Sequence, residues 1–110
     1  MTNPRLAALA VCTAAGLIAA PPEVAKVEPP NWWIGHSINP VRLLIRGRNL
    51  EGAHAVAHGP DLKIGLMRVN AAGTYAFVDV SIARDTPPGP HPLRLVTPDG
   101  EATAPFEVLQ

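Results

Sequence analysis

YAFVDVSI, the segment Tyr75–Ile82, carries an apolar residue at every second position from Ala76 onward. Successive side chains of a β-strand point to opposite faces of a sheet, so a period of two predicts a strand with one buried face. We expect Ala76, Val78, Val80 and Ile82 on that buried face. Such alternation is typical of antiparallel sheets that cover a core on one side only.

The same period of two recurs on both sides of this segment. With Tyr75–Ile82 it predicts about seven short strands, at residues 23–28, 41–46, 53–57, 62–69, 75–82, 93–97 and 106–109. Within 62–69, we expect Leu62, Ile64 and Leu66 on one side of the strand. Turn residues separate the strands, for example at 47–52 and 98–100. This spacing predicts an all-β fold, an immunoglobulin-like two-sheet β-sandwich.

Composition limits the classes of function. The 110 residues include 13 prolines and 9 glycines, which interrupt long helices but suit short strands joined by turns. Nine basic and nine acidic side chains give no net charge. Nucleic acids and anionic membrane surfaces are bound mainly by clustered cations, so we expect neither as a partner. We also expect no cofactor.

Residues 1–20 have the pattern of a secretory signal peptide. A short head with one cation precedes Leu6–Ala20, which is uncharged and apolar, and Pro21 follows. These 15 residues are short for a membrane-spanning helix, which needs about 20. A buried N-terminal helix is the alternative interpretation. We therefore expect an exported bacterial protein, periplasmic or extracellular, whose folded domain covers residues 21–110.

The single cysteine, Cys12, lies inside this apolar stretch. The mature domain then has no disulfide, and its stability must come from its core. The residues before Cys12 faintly resemble a lipoprotein signal. However, Val11 is larger than the usual residue at that position, so we favour an unlipidated protein.

No arrangement of side chains predicts catalysis or metal binding. Glycoside hydrolysis needs two carboxyl groups facing each other across a sugar, whereas the acids here are scattered and several lie in turns. His54 and His58 are four residues apart, which suits a metal ion on a helix but spans about 13 Å on a strand. His36 and His91 add no evident partner. We expect no catalytic residue and no metal site.

Three arginines alternate along one predicted strand. Arg42, Arg46 and Arg48 could form a small basic strip. We favour the simpler interpretation, in which they pair on the surface with Glu51 or Asp79.

Trp32 and Trp33 are the candidate binding residues. Neighbours in an extended segment point to opposite sides, so one ring should enter the core while the other faces outward. We expect Trp33 to be the inward ring, because Ile34 and Gly35 follow it closely. Three roles remain open: a wholly structural pair, an outward ring that contacts another domain or subunit, and an outward ring that stacks on a sugar ring.

Several segments resemble a known family. VEPPNWWIG (Val27–Gly35), NPVRLLIRGRNL (Asn39–Leu50), YAFVDV (Tyr75–Val80) and PGP (Pro88–Pro90) are similar to the N-terminal immunoglobulin-like domain of bacterial cyclomaltodextrinases and neopullulanase-type enzymes. Those enzymes belong to the alpha-amylase superfamily of glycoside hydrolases. The double tryptophan in its proline-rich setting is the most specific part of the likeness.

The resemblance implies a non-catalytic accessory domain. In that family the acidic residues of a downstream (β/α)-barrel hydrolyse the sugar, so we expect this chain to pack on the catalytic barrel of a longer protein. It would help to shape the substrate cleft or a dimer interface. Two alternatives stay open: a free-standing carbohydrate-binding module, and an interaction module of the TIG type. RGRNL (Arg46–Leu50) and VTPDGEA (Val96–Ala102) resemble TIG modules, which share the fold.

Overall fold

The structure, a computed structural model, describes residues 20–110. The signal peptide predicted for residues 1–20 lies outside the described residues except for Ala20. Residues 20–110 form ten strands and no helix, which confirms the all-β prediction. In this range there is accordingly no helix of the length and apolarity that crossing a membrane requires.

The strands follow one another along the chain with short connections. Their bounds are β1 Glu23–Glu28, β2 Asn31–Trp33, β3 Val41–Arg48, β4 His54–Ala57, β5 Leu62–Val69, β6 Tyr75–Ile82, β7 Gly89–Pro90, β8 Leu93–Thr97, β9 Gly100–Ala104 and β10 Glu107–Leu109. The sequence pattern identified the longer strands. It missed β2, β7 and β9, which are short or interrupted by proline and glycine.

Two layers enclose one core. One layer is a four-stranded antiparallel sheet in the order β1-β3-β6-β5. The other layer consists of two three-stranded sheets, β2-β10-β7 and β4-β8-β9. Buried side chains from both layers form a single hydrophobic cluster, so the architecture is the predicted sandwich.

The alternation predicted from the sequence places the core residues. In β6 all four expected residues from Ala76 to Ile82 are buried, and in β3 Leu43 and Ile45 are fully buried. Leu93 and Leu95 of β8 meet them from the opposite layer. At about 25 cal/mol per Å² of apolar surface, such full burial makes each large side chain worth roughly 2 kcal/mol.

A bulge in β5 overturns part of the predicted alternation. Ile64 and Met67 pair with consecutive inward positions of β6, so the register shifts across the two residues between them. Both Gly65 and Leu66 consequently face outward, and Leu66 is 53% exposed instead of lying on the side of Ile64. After the bulge, Met67 and Val69 pack against the core. A bulge places one extra residue between two paired positions, and no particular residue type marks it. Counting alternate apolar positions along one strand therefore does not detect it.

Gly47 lies in β3 and not in the predicted turn. It pairs with Val24 of β1, and its N–H donates to the carbonyl oxygen of Thr74. A Cβ atom at this position would collide with the backbone carbonyl of Glu23. The glycine therefore permits the close approach of β1 to β3, and the chain turns only afterwards, at Asn49 with φ 57°.

Ion pairs occupy part of the outer face of the four-stranded sheet. Arg42 donates from Nε to Asp79 Oδ1 at 2.8 Å and from Nη2 to Oδ2 at 3.2 Å. This confirms the expected pairing with Asp79 for Arg42 alone. The expected pairing with Glu51 is wrong, because Arg48 instead donates to Glu23 at 3.4 Å.

The Arg42–Asp79 pair predicts a pH dependence of stability. The hydrogen bond from Arg42, aided by its charge, lowers the pKa of Asp79 below its ordinary value. The native state therefore favours the ionised carboxyl. The stabilisation is complete above the unfolded pKa of about 4 and is lost as the pH falls through the lower native pKa. We expect the urea midpoint of Asp79→Asn to depend less on pH between 6 and 2.5 than that of the wild-type chain. Identical slopes would contradict this prediction.

Candidate functional site

Both tryptophans lie on β2, a three-residue strand at the edge of the second layer. It pairs in parallel with β10, where Trp32 is opposite Val108 and Trp33 is opposite Leu109. The N–H of Ile34 extends the ladder by donating to the carbonyl oxygen of Leu109 at 2.9 Å. The backbone of both tryptophans is therefore fixed by the last strand of the chain.

The two rings differ in burial, and the expectation that Trp33 is the inward ring is wrong. Trp32 is the inward ring: it packs against the core cluster and is half-buried. Trp33 is 46% exposed. The register with β10 explains why Trp32 is the inward ring. Paired residues of adjacent strands point to the same side of a sheet. Val108 is 1% exposed and lies opposite Trp32, so Trp32 follows it inward.

A tight turn after β2 completes the site. Gly35 adopts φ 72°, a left-handed conformation that favours glycine, and the chain reverses over the indoles. The Nε1–H of Trp32 then donates to the carbonyl oxygen of Ile38 at 2.9 Å. We call the group formed by Trp32, Trp33, His36 and Ile38 the Trp edge.

His36 holds the two indoles together. Its ring centroid lies 4.6 Å from that of Trp32 and 5.9 Å from that of Trp33, with an angle of 29° between the His36 and Trp33 planes. The N–H of Ile38 donates to His36 Nδ1 at 2.9 Å. Because Nδ1 accepts, the neutral ring carries its proton on Nε2. The sequence alone suggested no role for His36 beyond that of a metal ligand; Gly35, two residues after Trp33, is the signal for this turn.

The Trp edge offers apolar contact rather than proton transfer. Trp33 and Ile38 are 46% and 57% exposed, and they are two of the few large apolar side chains that reach solvent in residues 20–110. The surface combines an indole face with a neighbouring imidazole. Such a surface can anchor another protein domain or stack on a sugar ring.

The chain matches a known family over most of its length. A family model described as the N-terminal domain of cyclomaltodextrinase matches residues 26–110, a range that includes the whole Trp edge. The chain belongs to this family. The resemblance inferred from the sequence is thereby confirmed, and cyclomaltodextrinase N-terminal domains are the non-catalytic part of multidomain glycoside hydrolases. No curated protein matches the chain.

The other sequence candidates of this cyclomaltodextrinase N-terminal domain do not assemble into a metal centre. His58, Asp61 and His91 line one surface cavity. His91 Nε2 is already engaged with the carbonyl oxygen of Pro87 at 2.7 Å. Across residues 20–110, no three histidine, cysteine or acidic side chains are placed so that they could hold a metal ion.

Proposed function

We propose that this cyclomaltodextrinase N-terminal domain is the accessory β-sandwich of a secreted alpha-amylase-type glycosidase. It packs on the catalytic barrel through the Trp edge and helps to shape the substrate cleft or a dimer interface. The exposed ring of Trp33 carries the proposal. Export to the periplasm or the exterior is supported by the signal-peptide pattern of residues 1–20.

Trp33 has the properties of an interface anchor. Its backbone is held by pairing with Leu109, and its ring lies beside those of Trp32 and His36. A side chain that is already ordered loses little conformational freedom when a partner covers it. Aromatic anchors in such settings contribute much of the binding energy of protein interfaces.

The test measures binding of the chain to the catalytic barrel of the enzyme, produced as a separate polypeptide. We expect Trp33→Ala to weaken the affinity about tenfold or more, which corresponds to ~1.4 kcal/mol. Val56→Ala is the matched control, because Val56 is also apolar and exposed but lies on β4, away from the Trp edge. Calorimetric titration of both variants gives the comparison. Equal affinities for wild type and Trp33→Ala would contradict docking at this edge.

One observation favours a second candidate, a carbohydrate-binding module. The rings of Trp33 and His36 are inclined by only 29°, which resembles a flat platform for a glucose ring of an alpha-glucan. Titration of the chain with maltodextrin distinguishes the two functions. Glucan binding that Trp33→Ala removes and Val56→Ala retains would favour the module. Binding to neither barrel nor glucan would favour the TIG-like interaction module.

A further inference from the structure

His36 is the one side chain of the Trp edge that can change its charge. It lies in the turn after β2 and is half-buried, with its ring beside both indoles. Histidine is the residue type whose charge ordinarily changes between pH 5 and 8. The other three residues of the Trp edge carry no ionisable group. The charge of this surface therefore depends on a single imidazole.

Both backbone polar groups of Ile38 are bound by side chains of the Trp edge. The N–H of Ile38 donates to His36 Nδ1 at 2.9 Å, and its carbonyl oxygen accepts from the Nε1–H of Trp32 at 2.9 Å. The same imidazole lies 4.6 Å from the ring of Trp32, measured between centroids. The bond at Nδ1 is therefore one of two ties that hold the turn against the indoles.

Protonation of His36 removes the bond at Nδ1. That bond needs a lone pair on the nitrogen, which is present only in the neutral ring, because imidazolium carries a hydrogen on each of its two nitrogens. Two N–H groups would then point at each other across the 2.9 Å that separates Ile38 N from His36 Nδ1. Either the ring turns away or the backbone at Ile38 moves. Both changes displace His36 relative to Trp33.

Within residues 20–110, no neighbouring acid balances a positive charge on His36. Its sheet, β2-β10-β7, contains one ionisable side chain, Glu107, which lies opposite Asn31 at the end of β2 away from the turn. Asn39 ties the far end of the turn to Ile82 of β6 by two hydrogen bonds of 3.0 Å, again without a charge. None of the ion pairs in this part of the chain, with N to O distances up to 4.0 Å, includes the imidazole.

A partner that covers Trp33 also covers His36. The two ring centroids are 5.9 Å apart and the planes are inclined by 29°, so the rings form neighbouring parts of one surface. A covered group loses its water, and burial without an opposite charge disfavours the charged form. The attraction between imidazolium and the indoles exists both with and without the partner, so it does not offset this cost of binding.

We infer that the Trp edge is a pH-dependent docking surface, which holds its partner while His36 is neutral and releases it when His36 takes up a proton. The identity of the partner, the catalytic barrel, rests on the proposed function. Binding of the barrel and binding of the proton oppose each other, and each weakens the other by the same factor. One proton changes the affinity by at most about tenfold for each unit of pH.

NMR spectroscopy of the chain alone tests the effect of the proton on the turn. During a titration from about pH 8 to 5, we expect the Ile38 amide and the Trp32 indole N–H to shift with the same midpoint as the ring hydrogens of His36. His36→Asn is the matched control. The side-chain oxygen of asparagine accepts from the N–H two residues later, as Nδ1 does here, but it does not titrate. An Ile38 amide that does not follow the titration of His36 would overturn the inference.

Calorimetric titration with the separately produced barrel tests the effect of the proton on docking. Between pH 7.5 and 5.5 we expect the wild-type affinity to fall about tenfold, and the affinity of His36→Asn to change less than about threefold. His91→Asn is a second control, because His91 binds the carbonyl oxygen of Pro87, away from the Trp edge. This variant should keep the pH dependence of the wild-type chain.

Failure of pH dependence and failure of docking are distinguishable results. A barrel that binds at no pH would contradict the proposed function, and the NMR titration of the chain alone then decides whether His36 controls the turn. Docking that is independent of pH, or stronger at pH 5.5, would overturn the inference alone. Equal pH dependence in wild type and His36→Asn would overturn it too, because another group would then be responsible. Thermal unfolding checks the fold of each variant, and if His36→Asn does not fold, the Ile38 amide of the wild-type chain decides.

Discussion

Replacing Trp32 with alanine should lower the free energy of unfolding by about 2–4 kcal/mol. The indole packs against the core cluster, and its Nε1–H donates to the carbonyl oxygen of Ile38. The variant loses the buried apolar area, and it also leaves the turn that carries His36 without its support. The expected loss is below that of a fully buried tryptophan because part of the ring reaches solvent. Urea unfolding followed by circular dichroism measures it.

Two matched variants locate the effect. Trp33→Ala removes the neighbouring ring, which is 46% exposed, and should cost less than about 1 kcal/mol. Trp32→Phe keeps most of the apolar contact and removes only the hydrogen bond, so about 1 kcal/mol is expected. A larger loss for Trp33→Ala than for Trp32→Ala would show that the inward ring has been misassigned. Equal small losses would show that neither ring supports the core.

Replacing Gly47 with alanine should cost about 3 kcal/mol, although alanine adds only one methyl group. The new Cβ would meet the carbonyl oxygen and carbon of Glu23 and the Cα of Val24, all of them backbone atoms. No side-chain rotation can relieve this collision, so β1 must move away from β3. The ladder between those strands and the packing of Val27 would be disturbed. Chemical denaturation of the variant gives the stability change.

Gly59→Ala is the control for this prediction. Gly59 is exposed, and nothing lies within 4 Å of the position that its Cβ would occupy. Alanine there should change stability by no more than about 0.5 kcal/mol, and the reduced freedom of the unfolded chain could make the change favourable. If both substitutions had similar effects, the collision at Gly47 would not govern the close approach of β1 to β3.

The sequence predicted buried and exposed positions correctly where they depend only on the alternation within one strand. The alternation in β6 follows directly from having one face on the core, and it identified all four buried residues from Ala76 to Ile82. The alternation failed in β5, where the bulge at Gly65 and Leu66 reverses the side of every later residue. That bulge depends on the register with β6, which is a property of two strands and not of one.

The candidate site shows the same limit. Its two tryptophans could be singled out from the sequence, and so could the expectation that only one of them packs against the core. Which ring enters the core depends on β10, whose buried Val108 lies opposite Trp32 but far along the chain. The role of His36 likewise depends on the turn at Gly35, which folds the imidazole back over the indoles. Neither the pairing of Trp32 with Val108 nor the contact of His36 with the indoles can be inferred from the local sequence.

The parallel pairing of β2 with β10 has a consequence for the order in which the molecule folds. β2 cannot pair until β10 has been synthesised. Nearly the whole domain must therefore leave the ribosome before this ladder can form. Contacts between such distant segments form slowly, because a large loop must first be closed. Both tryptophans of the chain lie on this ladder. Intrinsic fluorescence therefore reports the final closure step, and in a stopped-flow experiment it should change after the circular dichroism signal of the four-stranded sheet.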